Sequence, residues 1–208
     1  MKHIQLFALS LASLVLLSAC ASNRVESSNP LSTNSKAIRG FESLGLTSED
    51  FDFAVQTAVQ QFLDEPLSEN PEGNRWVVDI SDVINDTPLN FDTSAVTSQL
   101  KRQLRRSGKF IFTAATGQEV AASIRNQREL NQSELFDQST TASQGTVIAP
   151  DLTIIGAIRS RNVRSPDGRQ QSLNYAFDFS VVDIDTGLII FETYVSIDKT
   201  GSNRNFAW

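Results

Sequence analysis

The apolar residues of this chain follow three patterns, which divide it into an N-terminal run, a polar stretch and a long patterned region. A mostly apolar run over residues 4–19 follows Lys2 and His3 and ends at Cys20. Residues 21–46 are rich in Ser and Asn and contain few apolar side chains. From residue 47 onward the apolar positions recur with helical or alternating spacing, which predicts one globular domain over residues 47–208.

Three segments of this domain show the spacing of amphipathic helices. Each has apolar residues three or four positions apart, so that one face of each helix is buried. The first helix is expected to begin at a cap formed by Thr47 or Ser48 and to end before Pro66. The second begins at Asp92 or Thr93 and ends at Gly108. The third begins with a capping box formed by Thr116 and Glu119. Residues 132–149 have no clear pattern and are expected to form a loop with a short helix.

Five segments have the alternation of strands. Two are short, "RWVVDISDVIN" and "FIFTAA", and three are long, "DLTIIGAIRSRNV", "QSLNYAFDFSVVDI" and "GLIIFETYVSID". The middle long run alternates Leu173, Tyr175, Phe177, Phe179 and Val181 with more polar residues, so one face of the sheet is expected to lie buried under the helices. The sequence therefore predicts an α/β fold, a two-layer domain with a mixed or antiparallel sheet of four to five strands flanked by helices.

The N-terminal run has the pattern of a signal peptide. Its length is too short for a membrane span, and residues 17–19, Leu-Ser-Ala, precede Cys20 as in the bacterial lipobox. On this interpretation residues 1–19 are removed, Cys20 carries lipid, and residues 20–46 form the lipidated cysteine and a flexible tether. The residue after the cysteine, Ala21, is not an aspartate. By resemblance to enterobacterial sorting signals, this indicates the outer membrane as the destination. The alternative is an ordinary signal peptide with an incidental cysteine.

Removal of residues 1–19 leaves few types of side chain that could act in catalysis. His3 is the only histidine and Cys20 the only cysteine, so an acylated mature chain has neither imidazole nor free thiol. Ser-His-Asp and Cys-His catalysis and His or Cys zinc sites are thereby excluded within this chain. The mature chain has 17 basic and 24 acidic residues, a net charge of −7, which argues against nucleic acid as a main ligand.

Acidic residues offer two further interpretations, and both are weak. Asp183, Asp185 and Gly187 lack the glycine and final acidic positions of a calcium loop, and a tight hairpin turn is the better interpretation. Asp79, Asp82 and Asp86 lie near one strand end and could serve a wall-lytic enzyme, but aspartates near turns are usually solvated or capping. We expect no metal, no cofactor and no enzymatic activity.

Four arginines gather in the predicted hairpin "AIRSRNVRSPDGRQ" of an otherwise acidic protein. They are Arg159, Arg161, Arg164 and Arg169. One hypothesis is a patch that binds the acidic surface of a partner protein, since arginine is common at interface hot spots. The other is a solvated hairpin tip.

With these elements placed, the sequence resembles the penicillin-binding protein activator family LpoB. The resemblance rests on "VVDISDVINDTPLNFDTSAVTSQLKRQLRRSGKFIFTAA", in which a strand, an Asn-Asp-Thr loop, a helix and "SGKF" lead into another strand. "PDLTIIGAI" and "VVDIDTGLIIFE" extend it over most of residues 75–197. The wider fold is shared with the TolB N-terminal domain and curli-type lipoproteins, and is not specific for one function.

The resemblance implies an outer-membrane lipoprotein that faces the periplasm. It would bind a non-catalytic docking domain of a bifunctional class A penicillin-binding protein and stimulate peptidoglycan synthesis. Some members of the family have a long Pro-rich tether, whereas Pro30 is the only proline of this one. The alternative is a structural or secretion and curli-type assembly lipoprotein of the same fold, which would form rings where an activator would be a monomer.

Overall fold

The computed structural model describes residues 26–30 and 44–202. The predicted signal peptide and Cys20 lie outside the described residues, so their assignments stay predictions. Residues 26–30, which are part of the predicted tether, lie against the edge of the sheet. Leu44, also in the predicted tether, is buried in the core.

Seven strands form one mixed sheet within the described residues. Their bounds are β1 Glu26–Ser27, β2 Trp76–Ile80, β3 Ile84–Asp86, β4 Phe110–Phe112, β5 Leu152–Arg164, β6 Gln170–Asp183 and β7 Ile189–Ser202. They follow one another in the order β1-β7-β6-β5-β2-β4, and β3 pairs with β5. The last three strands form an antiparallel meander, while β2 runs parallel to both β4 and β5. The predicted two-layer α/β class is confirmed, and the two strands beyond the predicted five are β1 and the separate β3.

A break separates β2 from β3, where the sequence predicts a single strand. Both strands run along the same edge of β5, which β2 meets at residues 152–154 and β3 at residues 157–159. Between them Val83 is buried, and its N–H donates a hydrogen bond to Thr97 Oγ1 at 3.1 Å. A Cβ atom at Gly156 of β5 would lie 3.0 Å from Val83 Cγ2. Gly156 therefore leaves the space that Val83 occupies.

Two amphipathic helices cover the inner face of the sheet. Their bounds are α1 Ser48–Leu63 and α2 Thr93–Arg106. Helix α1 begins with a capping box, in which the Thr47 hydroxyl accepts the N–H of Asp50 and the Asp50 carboxylate accepts the N–H of Thr47. Helix α2 is capped by Asp92 and followed by Gly108, whose φ of 78° lies in the left-handed region. Both predicted helices are confirmed.

The core lies between these helices and the meander. The inward residues of β6 are those that alternation predicts, and all five are buried: Leu173, Tyr175, Phe177, Phe179 and Val181. Phe62 of α1 packs against the rings of Phe110, Phe179 and Phe191, with centroid distances between 5.2 and 5.9 Å. Tilted aromatic contacts of this kind fix α1 across strands that are distant in the chain.

The third helix, α3 Gln118–Glu129, contributes no buried residue. The predicted capping box is wrong, because Gly117 is the N-cap and no side chain caps the helix. The Thr116 hydroxyl instead donates to Asp79 Oδ1 of β2 at 2.8 Å. Short 3-10 turns at Leu130–Gln132 and Gln138–Thr140 follow in the predicted loop region. Much of this connection between β4 and β5 is therefore exposed.

Candidate binding surfaces

The side of the sheet away from α1 and α2 presents exposed side chains, because every second residue of a strand points away from the core. We call the surface formed by these outward residues of β3, β5, β6 and β7 the outer face. Strand register places Ile84, Ala157, Asp178 and Tyr194 in one row across it. Ile84 is 56% and Tyr194 68% exposed. The row thus has an exposed apolar or aromatic side chain at each end.

Small residues occupy the centre of the outer face. Ala157 lies on β5 and Ala176 on the adjacent strand β6. Ser196 of β7 is paired with Ala176. Their side chains are short, so the face is low at these three positions, whereas Asp178 lies between Ala157 and Tyr194. A partner could therefore contact the strands closely while the two larger side chains pack into it.

Arg159 is held over the outer face by two carboxylates. Its Nη1 lies 2.9 Å from Asp178 Oδ2, and its Nε lies 3.9 Å from Asp86 Oδ2. Because the arginine side chain is 63% exposed, such pairs contribute only about 0–1 kcal/mol to stability. Their main effect is to position the guanidinium group on this surface.

The four predicted arginines do not lie on one surface. Arg161 faces outward opposite Asn174, on the same side as Arg159. Strand alternation directs the Arg164 side chain to the other side of β5. Arg169 lies in the hairpin turn, and its backbone N–H donates to Asp167. All four are exposed, and their assignment to a partner-binding patch stays a prediction.

A buried polar cluster lies at the edge of the sheet near β1. Lys199 Nζ of β7 lies 2.5 Å from Asp50 Oδ2 of α1, with side-chain exposures of 4% and 0%. Lys199 also donates to the Gly45 carbonyl at 2.6 Å. Asn29, which is fully buried, donates its side-chain amide to Asp50 Oδ1 at 2.9 Å. The two buried charges are thus paired and hydrogen-bonded, as buried charges must be to be tolerated.

The charge states in this cluster follow from these contacts. Burial alone would raise the pKa of Asp50, but hydrogen bonds from Asn29 and Lys199, together with the Lys199 charge, hold that pKa below its ordinary value. Burial and the neighbouring Asp50 charge raise the pKa of Tyr175 to about 12. The neutral Tyr175 hydroxyl donates to the Leu44 carbonyl at 3.0 Å. The cluster therefore fixes the start of the domain to β6 and β7.

The sequence patterns do not predict this cluster, although one signal for it exists. Lys199 occupies the inward register of β7, two residues after Ile197 and four after Val195, both of which are buried. A charged side chain at such a position requires a buried partner. The identity of that partner, Asp50, cannot be read from the spacing.

Three of the five aspartates considered as candidate chemistry have separate structural partners. Asp79 accepts a hydrogen bond from Thr116, and Asp86 lies near Arg159. Asp183 accepts the N–H of Thr186 at 2.8 Å, which confirms the tight hairpin turn. Within residues 26–30 and 44–202, no three His, Cys, Asp or Glu side chains come together in a metal-binding group.

No helix in the described part of the chain has both the length and the apolar character needed to cross a membrane.

Comparison with known proteins gave one family match. The family described as "Peptidoglycan-synthase activator LpoB" matches residues 50–197 of this chain. The search of curated proteins found no match to this chain.

Solved structures were also compared. The C-terminal domain of LpoB from Escherichia coli is 14% identical, with 71% of this chain and 97% of that chain covered and a TM-score of 0.42. The same domain from Salmonella enterica is 16% identical over the same shares, with a TM-score of 0.43. The lipoprotein GNA1162 from Neisseria meningitidis is 16% identical, with 62% of this chain and 85% of that chain covered and a TM-score of 0.36.

Proposed function

Because this chain belongs to the LpoB family of peptidoglycan-synthase activators, we propose that it is an outer-membrane lipoprotein that binds and activates a bifunctional class A penicillin-binding protein. The observation that carries the proposal is the family match, which extends from α1 to β7. The partner is the periplasmic docking domain of the synthase. The chain acts by binding and contributes no catalytic group of its own.

Cys20 is the proposed attachment point for lipid. Small residues precede it, a mostly apolar run comes before them, and polar residues follow. Replacement of Cys20 by Ser is expected to abolish lipidation and release the chain from the membrane fraction. Mass spectrometry of the N-terminal peptide tests this directly, and an unmodified Cys20 in the membrane-bound native chain would contradict the anchor.

The outer face is the proposed surface for the synthase. It combines an exposed aromatic residue, Tyr194, an exposed apolar residue, Ile84, and a positioned guanidinium group, Arg159. Aromatic residues and arginine are the residue types most enriched among the contacts that dominate protein interfaces. Arg161 lies on the same side of β5 and extends the basic part of this surface toward the hairpin.

A binding and activity assay tests the surface. The chain without residues 1–20 is mixed with the cognate class A synthase and lipid II, and both affinity and peptidoglycan synthesis are measured. Tyr194→Ala and Ile84→Ser are each expected to weaken binding by about thirtyfold, which corresponds to the roughly 2 kcal/mol of an interface hot spot. Leu135→Ser is the matched control, because Leu135 is 90% exposed in the α3–β5 connection.

Two outcomes separate the function from the surface. If the native chain neither binds the synthase nor changes its rate, the activator function is wrong. If the native chain binds and the outer-face variants bind equally well, only the proposed surface is wrong.

Charge reversal tests the arginines individually. Arg161→Glu alters the outer face, whereas Arg164→Glu alters the opposite side of β5. We expect the first to weaken synthase binding and the second to leave it nearly unchanged. Equal losses from both variants would indicate that the whole hairpin tip, including Arg169, contacts the partner.

A further inference from the structure

Residues 26–30 are joined to the domain by a small set of contacts at the edge of β7. Only Glu26 and Ser27 pair as a strand, with Thr200 and Lys199. Beyond them the Ser28 N–H donates to the Asp198 carbonyl at 2.8 Å, and the Asp198 N–H donates to Ser28 Oγ at 2.7 Å. So short an edge strand has few backbone hydrogen bonds to hold it in place.

Asn29 makes this attachment specific. Its side chain is fully buried and donates to Asp50 Oδ1 at 2.9 Å. An extended polar segment lying on an edge by chance would not bury an amide against an ionised carboxylate. The contact is a charge-assisted hydrogen bond, which is stronger than one between neutral groups.

The remaining contacts of Asp50 do not depend on residues 26–30. Lys199 Nζ still faces its Oδ2, and the Thr47 N–H still donates to it at 2.8 Å. Release of Asn29 therefore removes one hydrogen bond from the carboxylate but leaves its counter-charge in place. The core residues all lie at or after Leu44, so the domain is expected to stay folded when the segment leaves.

The segment lies close to the proposed anchor. Glu26 follows Cys20 by six residues, and Leu44 follows it by 24. At ~3.3–3.6 Å per residue, the anchor lies at most about 20 Å from the domain when Glu26 is bound to β7, and at most about 80 Å when the first attached residue is Leu44.

We propose that residues 26–30 are a latch that sets how far the domain reaches from the membrane. Bound to β7, the latch holds the domain near the lipid anchor; released, it allows the longer reach. The effect on reach rests on the proposed lipidation of Cys20, whereas the latch itself rests only on the contacts of β1 and Asn29.

Energy transfer to the membrane measures the reach. The full chain carrying Ser143→Cys is placed in vesicles that contain an acceptor lipid, and a donor dye is attached at residue 143, which is exposed. Asn29→Asp puts a second carboxylate beside Asp50 and is expected to release the latch. Since the limit of reach rises from about 20 to about 80 Å, we expect transfer efficiency to fall roughly twofold. Asn162→Asp, the same change at an exposed position of β5, should leave it unchanged.

A cross-linking experiment tests the latch without the membrane. Glu26 and Thr200 are paired across β1 and β7, so Glu26→Cys with Thr200→Cys should form a disulfide readily in the full chain. Addition of Asn29→Asp should slow its formation several-fold. Asn29→Ala, which adds no charge, should act in the same direction and carries the test if Asn29→Asp prevents folding.

The outcomes separate the two proposals. A chain that does not associate with vesicles contradicts the anchor, and the disulfide experiment then decides the latch alone. Equal rates of disulfide formation with and without the Asn29 substitutions would overturn the latch. So would unchanged energy transfer in an Asn29→Asp chain that is bound to the vesicles.

Discussion

Lys199 on the last strand forms a buried ion pair with Asp50 on the first helix. The Nζ and Oδ2 atoms lie 2.5 Å apart, and neither side chain is more than 4% exposed. Asn29, Thr47 and the Gly45 carbonyl add hydrogen bonds to the pair. The two ends of the described domain are therefore joined inside it.

Removal of the positive charge should destabilise the domain strongly. Lys199→Met keeps an apolar side chain of similar length but leaves the Asp50 carboxylate buried without its counter-charge. A broken buried pair costs about 3–5 kcal/mol in the free energy of unfolding, measurable by urea titration. Arg161→Met, an exposed change on strand β5 of the same meander, should stay within about 0.5 kcal/mol of the native chain. Equal losses for the two variants would show that the pair contributes little.

The same carboxylate should make stability sensitive to acid. The pKa of Asp50 is lower in the folded chain than the value of about 4 expected when unfolded, so the unfolded chain binds this proton first as the pH falls. Its contribution is complete above about pH 5 and is lost as the pH falls through the folded pKa. Unfolding measured from pH 7 to pH 3 should therefore show a steeper loss for the native chain than for Asp50→Asn. Parallel curves would contradict this.

The hydroxyl group of Thr97 is expected to stabilise the folded domain. It accepts the N–H of Val83 at 3.1 Å inside the break between β2 and β3, and Thr97 is 4% exposed. Thr97→Val preserves shape but leaves that buried N–H without its acceptor, which costs about 1–3 kcal/mol. Thr97→Ser keeps the acceptor and should cost less in the same thermal or urea unfolding experiment. A larger loss for Ser than for Val would show that the methyl group matters more.

Gly156 should resist substitution although its backbone conformation is ordinary. In Gly156→Ala the new Cβ would meet Val83 Cγ2 at 3.0 Å, and overpacking of this kind costs about 1–3 kcal/mol. Addition of Val83→Ala should recover part of the loss, giving a coupling of at least about 0.5 kcal/mol in a double-mutant cycle. Gly117→Ala is the control, because its Cβ would meet only the Ala114 carbonyl at 3.4 Å. Additive losses at positions 83 and 156 would contradict the contact.

The regular parts of the fold are predictable because they depend on residues near one another in the chain. Alternation in β6 identifies the buried face from Leu173 to Val181, and the capping residues Thr47 and Asp92 mark two helix starts. The break between β2 and β3 is not predictable in this way, because Val83 fits only where Gly156 lacks a side chain. The capping box at Thr116 is wrong for the same reason, since its hydroxyl bonds to Asp79 on another element.

The composition of the candidate surface is likewise hard to predict, because it depends on residues that are distant in the chain. Closeness in the sequence suggests that Arg159, Arg161 and Arg164 act together, but the strand directs Arg164 to the opposite side. Asp178, which pairs with Arg159, comes from the next strand, and its place opposite is set by the register of the β5–β6 hairpin. Sequence identifies the charged residues, and cross-strand pairing determines which of them share a surface.

The link between Asp50 and Lys199 also constrains the order in which the domain can assemble as the chain emerges from its N-terminal end. Helix α1 emerges early, with a carboxylate on its buried side and no sheet to cover it. Parallel partners β2 and β4 come next, but β5, which pairs with β2, and β7, which brings Lys199, come last. Folding is therefore expected to wait until nearly the whole chain has been made. A nascent fragment that stops before residue 199 lacks the cation that its own first helix requires.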